Sequence, residues 1–339
     1  MSKSGTTTPA RATIRTVAAD AGVSVAAVSK VLRNAYGVSD GLRDKVQKSI
    51  EKLDYRPSTA ARGMRGRTYT VGVLLVELRN PFLPSVIDGV QRTLGKANYK
   101  ALMGVGEARA KIEQSLIDSM VDMRMDGLLL VAPRLSGDRL ARHAQRLPMV
   151  VIGHHEPTAA LFDTVNSDDR RGARIAVEAL LTRGHKDVHM ISMPEENAAQ
   201  NVYREREYGY RDAMVAAGLA DRIRFWRQKE RFAQPDGTID ALLESPDRPP
   251  AVFCWSDIAA VELINKAAAR GINVPEDLAI IGYDDTPTAA LPLIGLSSMD
   301  QHGTQIGELA AAALLSRIEG RTVPEHRLIE PGLILRRST

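Results

Sequence analysis

The sequence predicts an α/β protein with a small helical front end: a three-helix, helix-turn-helix head followed by a two-lobed body of parallel sheets. Three observations predict it. Residues 13–34 read as two short amphipathic helices meeting at a glycine. From Val71 onward, apolar runs alternate with amphipathic stretches in two successive series, the pattern of parallel sheets covered by helices on both faces. Positive charge is gathered ahead of that alternation. Residues 1–68 hold five Lys and eight Arg against four Asp and one Glu, a net of +8, while the rest of the chain stands at −4.

The 339 residues suffice for two or three domains, and 44% hydrophobic with 25% charged residues is ordinary globular composition. No apolar run approaches the ~18 residues of a membrane span. The polar start MSKSGTTTPARA has no signal-peptide core, so a cytoplasmic location is expected. A single cysteine, Cys254, leaves no internal disulfide framework or Cys-rich zinc site. A basic head on a mildly acidic body is the charge footprint of a chain whose head alone meets a polyanion.

In the head, Thr13 is positioned to cap a first helix whose Ile14, Val17 and Ala18 share a face. Gly22 supplies the tight turn, because glycine accepts positive φ without a Cβ clash. Ser24 then caps a second helix, with Val28, Val31 and Leu32 facing the first. Ser39 caps a third, from about Asp40 to Asp54, along which Leu42, Val46, Ile50 and Leu53 form one stripe. Residues of the second helix that face away from this core are placed to meet base edges in a major groove: Val25, Ala26, Ser29 and Lys30. Ser24, Ser29 and Tyr55 suit phosphate contacts, with Lys3 and Arg11 in the leading arm. After Pro57, Ser58 to Met64 reads as a short helix weakened by Gly63 and Gly66. Its arginines around an exposed Met64, Arg62 among them, suit a minor-groove element with an apolar wedge.

The body's first series comprises strands at Val71–Val76, Tyr99–Val105, Gly127–Val131 and Pro148–Gly153, with helices at about Leu83–Ala97, Ile112–Met123 and up to Gln145. A second series runs through a helix from about Asp168 to Arg183, strand Val188–Ser192, helix Glu205–Ala217, strand Ala251–Trp255, a further helix, and strand Leu278–Tyr283. In such folds ligands bind beyond the carboxyl ends of the strands. That rule selects Asn80 and Phe82, Gly104 to Glu107, His154 and His155, Arg204 and Arg206, Trp255 to Asp257 with Ser256, and Asp284. An arginine paired with an aspartate suits vicinal hydroxyls, and Phe82 and Trp255 suit the apolar face of a sugar ring. Trp255 is equally a candidate to fill core between strand and helix.

Adjacent histidines at the end of a strand point to opposite sides, which is poor chelating geometry. No metal site and no cofactor are expected; one of the two is expected to serve the pocket and the other to face solvent. The chain lacks a G-x-x-x-x-G-K-[ST] loop, and Gly104-Val-Gly106 is followed by Glu-Ala-Arg, an incomplete dinucleotide fingerprint. An enzyme is therefore not expected. A soluble sugar receptor shares the expected body but would need an export signal and has no use for a basic helix-turn-helix.

The order AGVS–VSKVL, YRP, NPF, RGH and GYDD resembles the LacI/GalR family of bacterial transcription regulators, over about Thr13 to Arg336. The resemblance implies a periplasmic-binding-protein-like body, with residues 1–57 as DNA-binding head, 58–68 as hinge helix and linker, and 69–339 as effector-binding and dimerisation domain. It implies that Val25, Ala26 and Lys30 read an operator, that Arg206 clamps the effector, and that Gln301 joins the pocket. Where the family most often has leucine at the hinge wedge and arginine at the last recognition position, this chain has Met64 and Lys30; lysine lacks arginine's bidentate fork. The expected molecule is a homodimeric repressor that binds a near-palindromic double-stranded operator under control of a small effector, a sugar or sugar derivative favoured. No sustained apolar heptads follow the body, so no tetramerising coiled coil is expected.

Overall fold

The computed structural model describes residues 12–32, 36–56, 66–194, 201–228 and 237–339. The chain divides into two compact units, Met1–Thr68 and Tyr69–Thr339. The expected phosphate-contacting Lys3 and Arg11 and the hinge segment with Arg62 and Met64 lie outside the described residues.

The head contains α1 (Ile14–Ala21), α2 (Val25–Leu32) and α3 (Asp40–Lys52). Thr13 caps α1 through a reciprocal capping box with Thr16, and Gly22 closes it with φ 59°. Ser24 Oγ accepts from Ala27 N at 3.1 Å to start α2, and Ser39 starts α3 in the same way through Leu42 N. Val17, Ala18, Ala21, Val28, Val31 and Val46 form the core, and Leu42, Ile50, Leu53 and Tyr55 pack around it. A polar clasp ties α1 to α3. Ser49 Oγ donates to Asp20 Oδ2 at 2.8 Å, and Lys52 Nζ donates to Asp20 Oδ1 at 2.6 Å.

The body's first sheet holds β1 (Thr70–Leu75), β2 (Lys100–Val105), β3 (Gly127–Val131), β4 (Met149–Ile152), β5 (Asp163–Ser167) and β11 (His326–Ile329). Its strand order is β11-β5-β4-β3-β1-β2. Three helices follow its strands: α4 (Leu83–Lys96), α5 (Ala110–Asp122) and α6 (Gly137–Ala144). Val71, Val73 and Leu75 bury one face under α4, while Leu74, Leu128 and Leu130 bury the other with Ile117 of α5 and Leu140 of α6.

The second sheet holds β6 (Val188–Ser192), β7 (Phe225–Arg227), β8 (Ala251–Cys254), β9 (Ala279–Tyr283), β10 (Ser297–Asp300) and β12 (Gly332–Ile334), ordered β12-β10-β9-β8-β6-β7. Around it lie α7 (Asp169–Thr182), α8 (Val202–Ala216), α9 (Thr238–Glu244) and α10 (Asp257–Ala268). All pairings are parallel except β10 with β12. The chain passes between lobes three times: from β5 to α7, from β10 to α11 (Gly303–Ile318), and from β11 to β12. Helix α11 packs against α4, β3, β4 and β5 and so belongs to the first lobe.

Several elements depart from the sequence expectation. Strands β5, β7 and β10 to β12 and helices α9 and α11 were outside the two expected series. β5 reads DTVNS, with no apolar alternation. Its buried Asp163 instead accepts from Arg317 Nη1 at 2.8 Å and pairs with Arg321, and Thr164 Oγ1 bonds His326 Nδ1 at 2.9 Å. Helix α8 starts at Val202, three residues before the expected Glu205.

Glycine sets two close helix approaches. A Cβ on Gly307 of α11 would lie 2.0 Å from Val86 O of α4, and one on Gly89 would lie 2.1 Å from Thr304 O. Since both obstacles are backbone, a methyl must push the helices apart. Gly307→Ala should therefore cost about 1–3 kcal/mol of body stability, read as a lowered midpoint of thermal unfolding; an unchanged midpoint would contradict this packing.

Candidate functional site

In each sheet the strand order reverses beside the first strand of its series, β1 in one lobe and β6 in the other. Chain leaving β1 and β3, and chain leaving β8 and β9, opens onto one cleft between the lobes. The cleft has an empty volume of about 550 Å³, counted with the solvent at its mouth. Of the sequence-selected residues, Asn80, Phe82, Arg206, Trp255, Asp284 and Gln301 line it.

Beyond β1, Glu77 shapes the turn. Its Oε1 accepts from Asn80 N at 3.0 Å, and its Oε2 accepts from Arg79 N. Asn80 Oδ1 then accepts from Phe82 N at 2.9 Å, which fixes the amide so that Nδ2 faces the other lobe and donates to Asp284 Oδ2 at 3.2 Å. Gln301, in the second crossing, donates from Nε2 to Asp284 Oδ1 at 2.6 Å. Asp284 itself sits at φ 116°, a region unusual for a residue with a Cβ. Asp257 supports that turn: its Oδ2 accepts from Thr286 N at 2.7 Å and Thr286 Oγ1 at 2.9 Å, and its Oδ1 accepts from Ser298 Oγ at 2.5 Å.

Arg206 is 2% exposed and central. Gly209 one turn later lets α8 close on α7, since a Cβ there would lie 2.1 Å from Arg170 O. Arg206 Nε consequently reaches Asp169 Oδ1 at 2.8 Å, and Nη1 donates to Trp255 O at 2.5 Å. Nη1 also lies 3.7 Å from Asp284 Oδ1, and the guanidinium carbon stands 3.6 Å above the centre of the Tyr283 ring. Trp255 is buried, lines the cleft, and donates from Nε1 to Gln228 Oε1 at 3.0 Å. It fills core and lines the site at once.

Four expectations change. His154 does not line the cleft: it is buried and bonds Glu156 Oε2 through Nε2 at 2.8 Å. Neither histidine faces solvent, because β4 ends at Ile152 and Gly153, at φ 71°, breaks the alternation that would have turned one outward. His155 donates from Nε2 to Asp169 Oδ2 at 2.8 Å. Ser256 caps α10, accepting from Ala259 N at 3.5 Å, and does not line the cleft. The polar lining residues that the sequence rule does not select are Glu77, Asn166, Ser167 and Asp169. Asn166 and Ser167 end β5, the strand without an apolar pattern, and Asp169 follows it.

The charges are strongly coupled. Burial pushes Asp169 up, but the charge of Arg206 and the bond from His155 outweigh it and hold the carboxyl below its usual range. Burial pulls His155 down, and Asp169 reverses this to a net rise. For Asp284 burial dominates and, with Asp257 adding to the rise against Arg206, lifts the carboxyl to about 7. Among the described residues no group of three or more His, Cys, Asp or Glu is placed to hold a metal ion. The site's chemistry is hydrogen bonding to a small polar ligand with an apolar face.

In the head, Ala26 and Lys30 stand exposed one turn apart on α2, and Ser24 is exposed beside them. Val25 is divided between surface and core, since it packs against the head's apolar cluster. Ser29 and Tyr55 are half-buried.

A carboxyl whose pKa in the fold lies above its ordinary 3.8 favours the fold at low pH, and that advantage fades as pH climbs toward 7. Asp284→Asn removes the group. The unfolding midpoint of the parent relative to this variant should therefore be highest at about pH 4 and fall steadily as pH rises to about 7; a difference independent of pH would contradict the buried, proton-holding carboxyl.

Comparison with known proteins agrees with both units. Residues 13–58 match the model of bacterial regulatory proteins of the lacI family, and residues 177–339 match that of a periplasmic binding protein-like domain. The chain is 32% identical over 331 residues to the ribose operon repressor of Haemophilus influenzae, covering 96% of this chain and 98% of the relative. It is 31% identical over 331 residues to the HTH-type transcriptional repressor CytR of Escherichia coli, covering 97% and 96%. Among solved structures, the transcriptional regulator CelR in complex with cellobiose is similar at 28% identity and a TM-score of 0.70, over 97% of this chain and all of that one. Head, body and relatives together place this chain in the lacI family of bacterial DNA-binding transcription regulators.

Proposed function

We propose that the protein is a cytoplasmic repressor that binds a near-palindromic operator as a homodimer and responds to a sugar-type effector held between the lobes. The observation that carries the effector reading is the arrangement around Arg206 and Asp284. A buried guanidinium and carboxylate face a cleft walled by Phe82 and Trp255. Polar groups at the base with aromatic surface at the sides suit a sugar ring, which has hydroxyls at its edge and C–H bonds on its faces. Relatives named for ribose and solved with cellobiose support the same class.

On the DNA side, α2 carries the reading. Ala26 offers apolar contact to a thymine methyl, Lys30 donates to guanine O6/N7, and Val25 contributes its exposed edge. Ser24, Ser29 and Tyr55 position the head on phosphates. Arg62 and Met64 belong to the minor-groove hinge in this reading. Two heads presented by a two-fold dimer account for a near-palindromic target. Among the described residues no helix is long and apolar enough to cross a membrane, which is consistent with work on cytoplasmic DNA.

The ligand acts by favouring one arrangement of the lobes over another, with a typical coupling of ~1–3 kcal/mol. An effector at ~100 times its Kd should stabilise the protein by ~2.7 kcal/mol. Gln301→Ala frees Asp284 of one donor and should weaken that stabilisation at least about tenfold in ligand concentration, while DNA binding without ligand is unchanged. Unaltered ligand binding would remove Gln301 from the site. Lys30→Ala should cost about 1–3 kcal/mol on the operator and much less on unrelated DNA; equal losses in gel-shift or anisotropy titrations would make Lys30 a phosphate contact only.

A further inference from the structure

The effector class can be narrowed, on the reading that the cleft holds the effector. We propose that Asp169 makes the cleft selective for an uncharged, hydroxyl-rich ligand and against its phosphorylated or carboxylated counterpart.

The charge lining the cleft is the first ground. Among the described lining residues Arg206 is the one cation, against Glu77, the carboxylate of Asp169 and the proton-holding carboxyl of Asp284. Arg206 is also already engaged. Asp169 holds Nε at 2.8 Å, the Trp255 carbonyl holds Nη1 at 2.5 Å, Asp284 stands 3.7 Å from Nη1, and the Tyr283 ring covers one face. The guanidinium therefore retains Nη2 to offer a ligand oxygen, but its charge is spent on the Asp169 carboxylate. His155, the other cationic candidate nearby, is spent on the second oxygen of Asp169.

The second ground is the state of the donors. Asn80 and Gln301 both give their side-chain N–H groups to Asp284. At the start of α4, whose Leu83 lines the cleft, the usual anion cradle is filled. Phe82 N is taken by Asn80 Oδ1, Leu83 N by Asn80 O and Ser85 N by Phe82 O, and Pro84 has no N–H. What remains is acceptor-rich. Carboxylate oxygens retain lone pairs. Hydroxyl groups donate to such a wall. A phosphate or carboxylate mainly accepts, and it would stand against the Asp169 carboxylate.

The test uses the full chain and matched pairs: D-ribose with ribose 5-phosphate, D-glucose with glucose 6-phosphate and gluconate, cellobiose with cellobionate, and cytidine with its 5′-monophosphate. Thermal shift and calorimetry give the affinity of each. The expected result is that a neutral member binds and its charged partner binds about 10- to 1,000-fold more weakly, as one close like charge implies. A charged member binding as tightly as its neutral partner, or more so, overturns the proposal while leaving the effector reading intact. No binding by any member overturns both. Asp169→Asn keeps the side-chain shape and returns charge to Arg206, so the preference for the neutral partner should shrink at least about tenfold. An unchanged preference in a variant that unfolds cooperatively would deny Asp169 this role. The parent's own selectivity decides the matter independently of how the variant folds.

Discussion

Everything in the body turns on a buried cation. Placing a guanidinium at 2% exposure is costly, by several kcal/mol for the ion alone, unless its charge and its donors are matched. Arg206 is matched by residues from separate parts of the chain: Asp169 at the first crossing between lobes, the Trp255 carbonyl after β8, and Asp284 after β9. Those partners are fixed in turn, His155 on Asp169 and Asn80 with Gln301 on Asp284. Satisfying one arginine thus gathers both lobes and two crossings around a single point.

That requirement also explains how the site can be responsive. The lobes meet at the cleft through polar contacts that include Asn80 with Asp284, His155 with Asp169, and a backbone bridge between His154 and Asn201. A small number of hydrogen bonds at modest net worth is easily rebalanced by a ligand that prefers one spacing of the lobes. Each lobe's interior, by contrast, is tightly filled, with glycine contacts such as Gly307 against Val86 leaving no room to deform. Motion is therefore confined to the seam, where the ligand sits. The strained backbone at Asp284, held by Asp257 through Thr286 and Ser298, belongs to this seam as well.

Much of this was legible in the sequence where burial is apolar. Strands GLLLV and VHMIS occupy the residues expected of them, because both faces are buried and every position is apolar or packed. The head was readable from its caps, Thr13, Ser24 and Ser39, and from Gly22, because local hydrogen bonds and one positive φ decide those turns. β5 was not readable. Its polar residues are buried by arginines and a histidine more than 150 positions away, which no local pattern reveals. The same gap hid Ser167 and Asp169, since a rule that looks beyond strand ends needs the strand first. That neither His154 nor His155 faces solvent has a smaller cause, a glycine at positive φ that breaks the alternation at the end of β4.

The central claim is that a ligand seated at Arg206 and Asp284 changes how the head holds DNA. The direct measurement is fluorescence anisotropy of the full chain on the DNA upstream of its own coding region, titrated with and without a saturating sugar that raises its unfolding midpoint. The account predicts a change in DNA affinity of at least about fivefold, the lower end of ordinary coupling between sites. A sugar that binds and stabilises the protein yet leaves DNA affinity unaltered would contradict it.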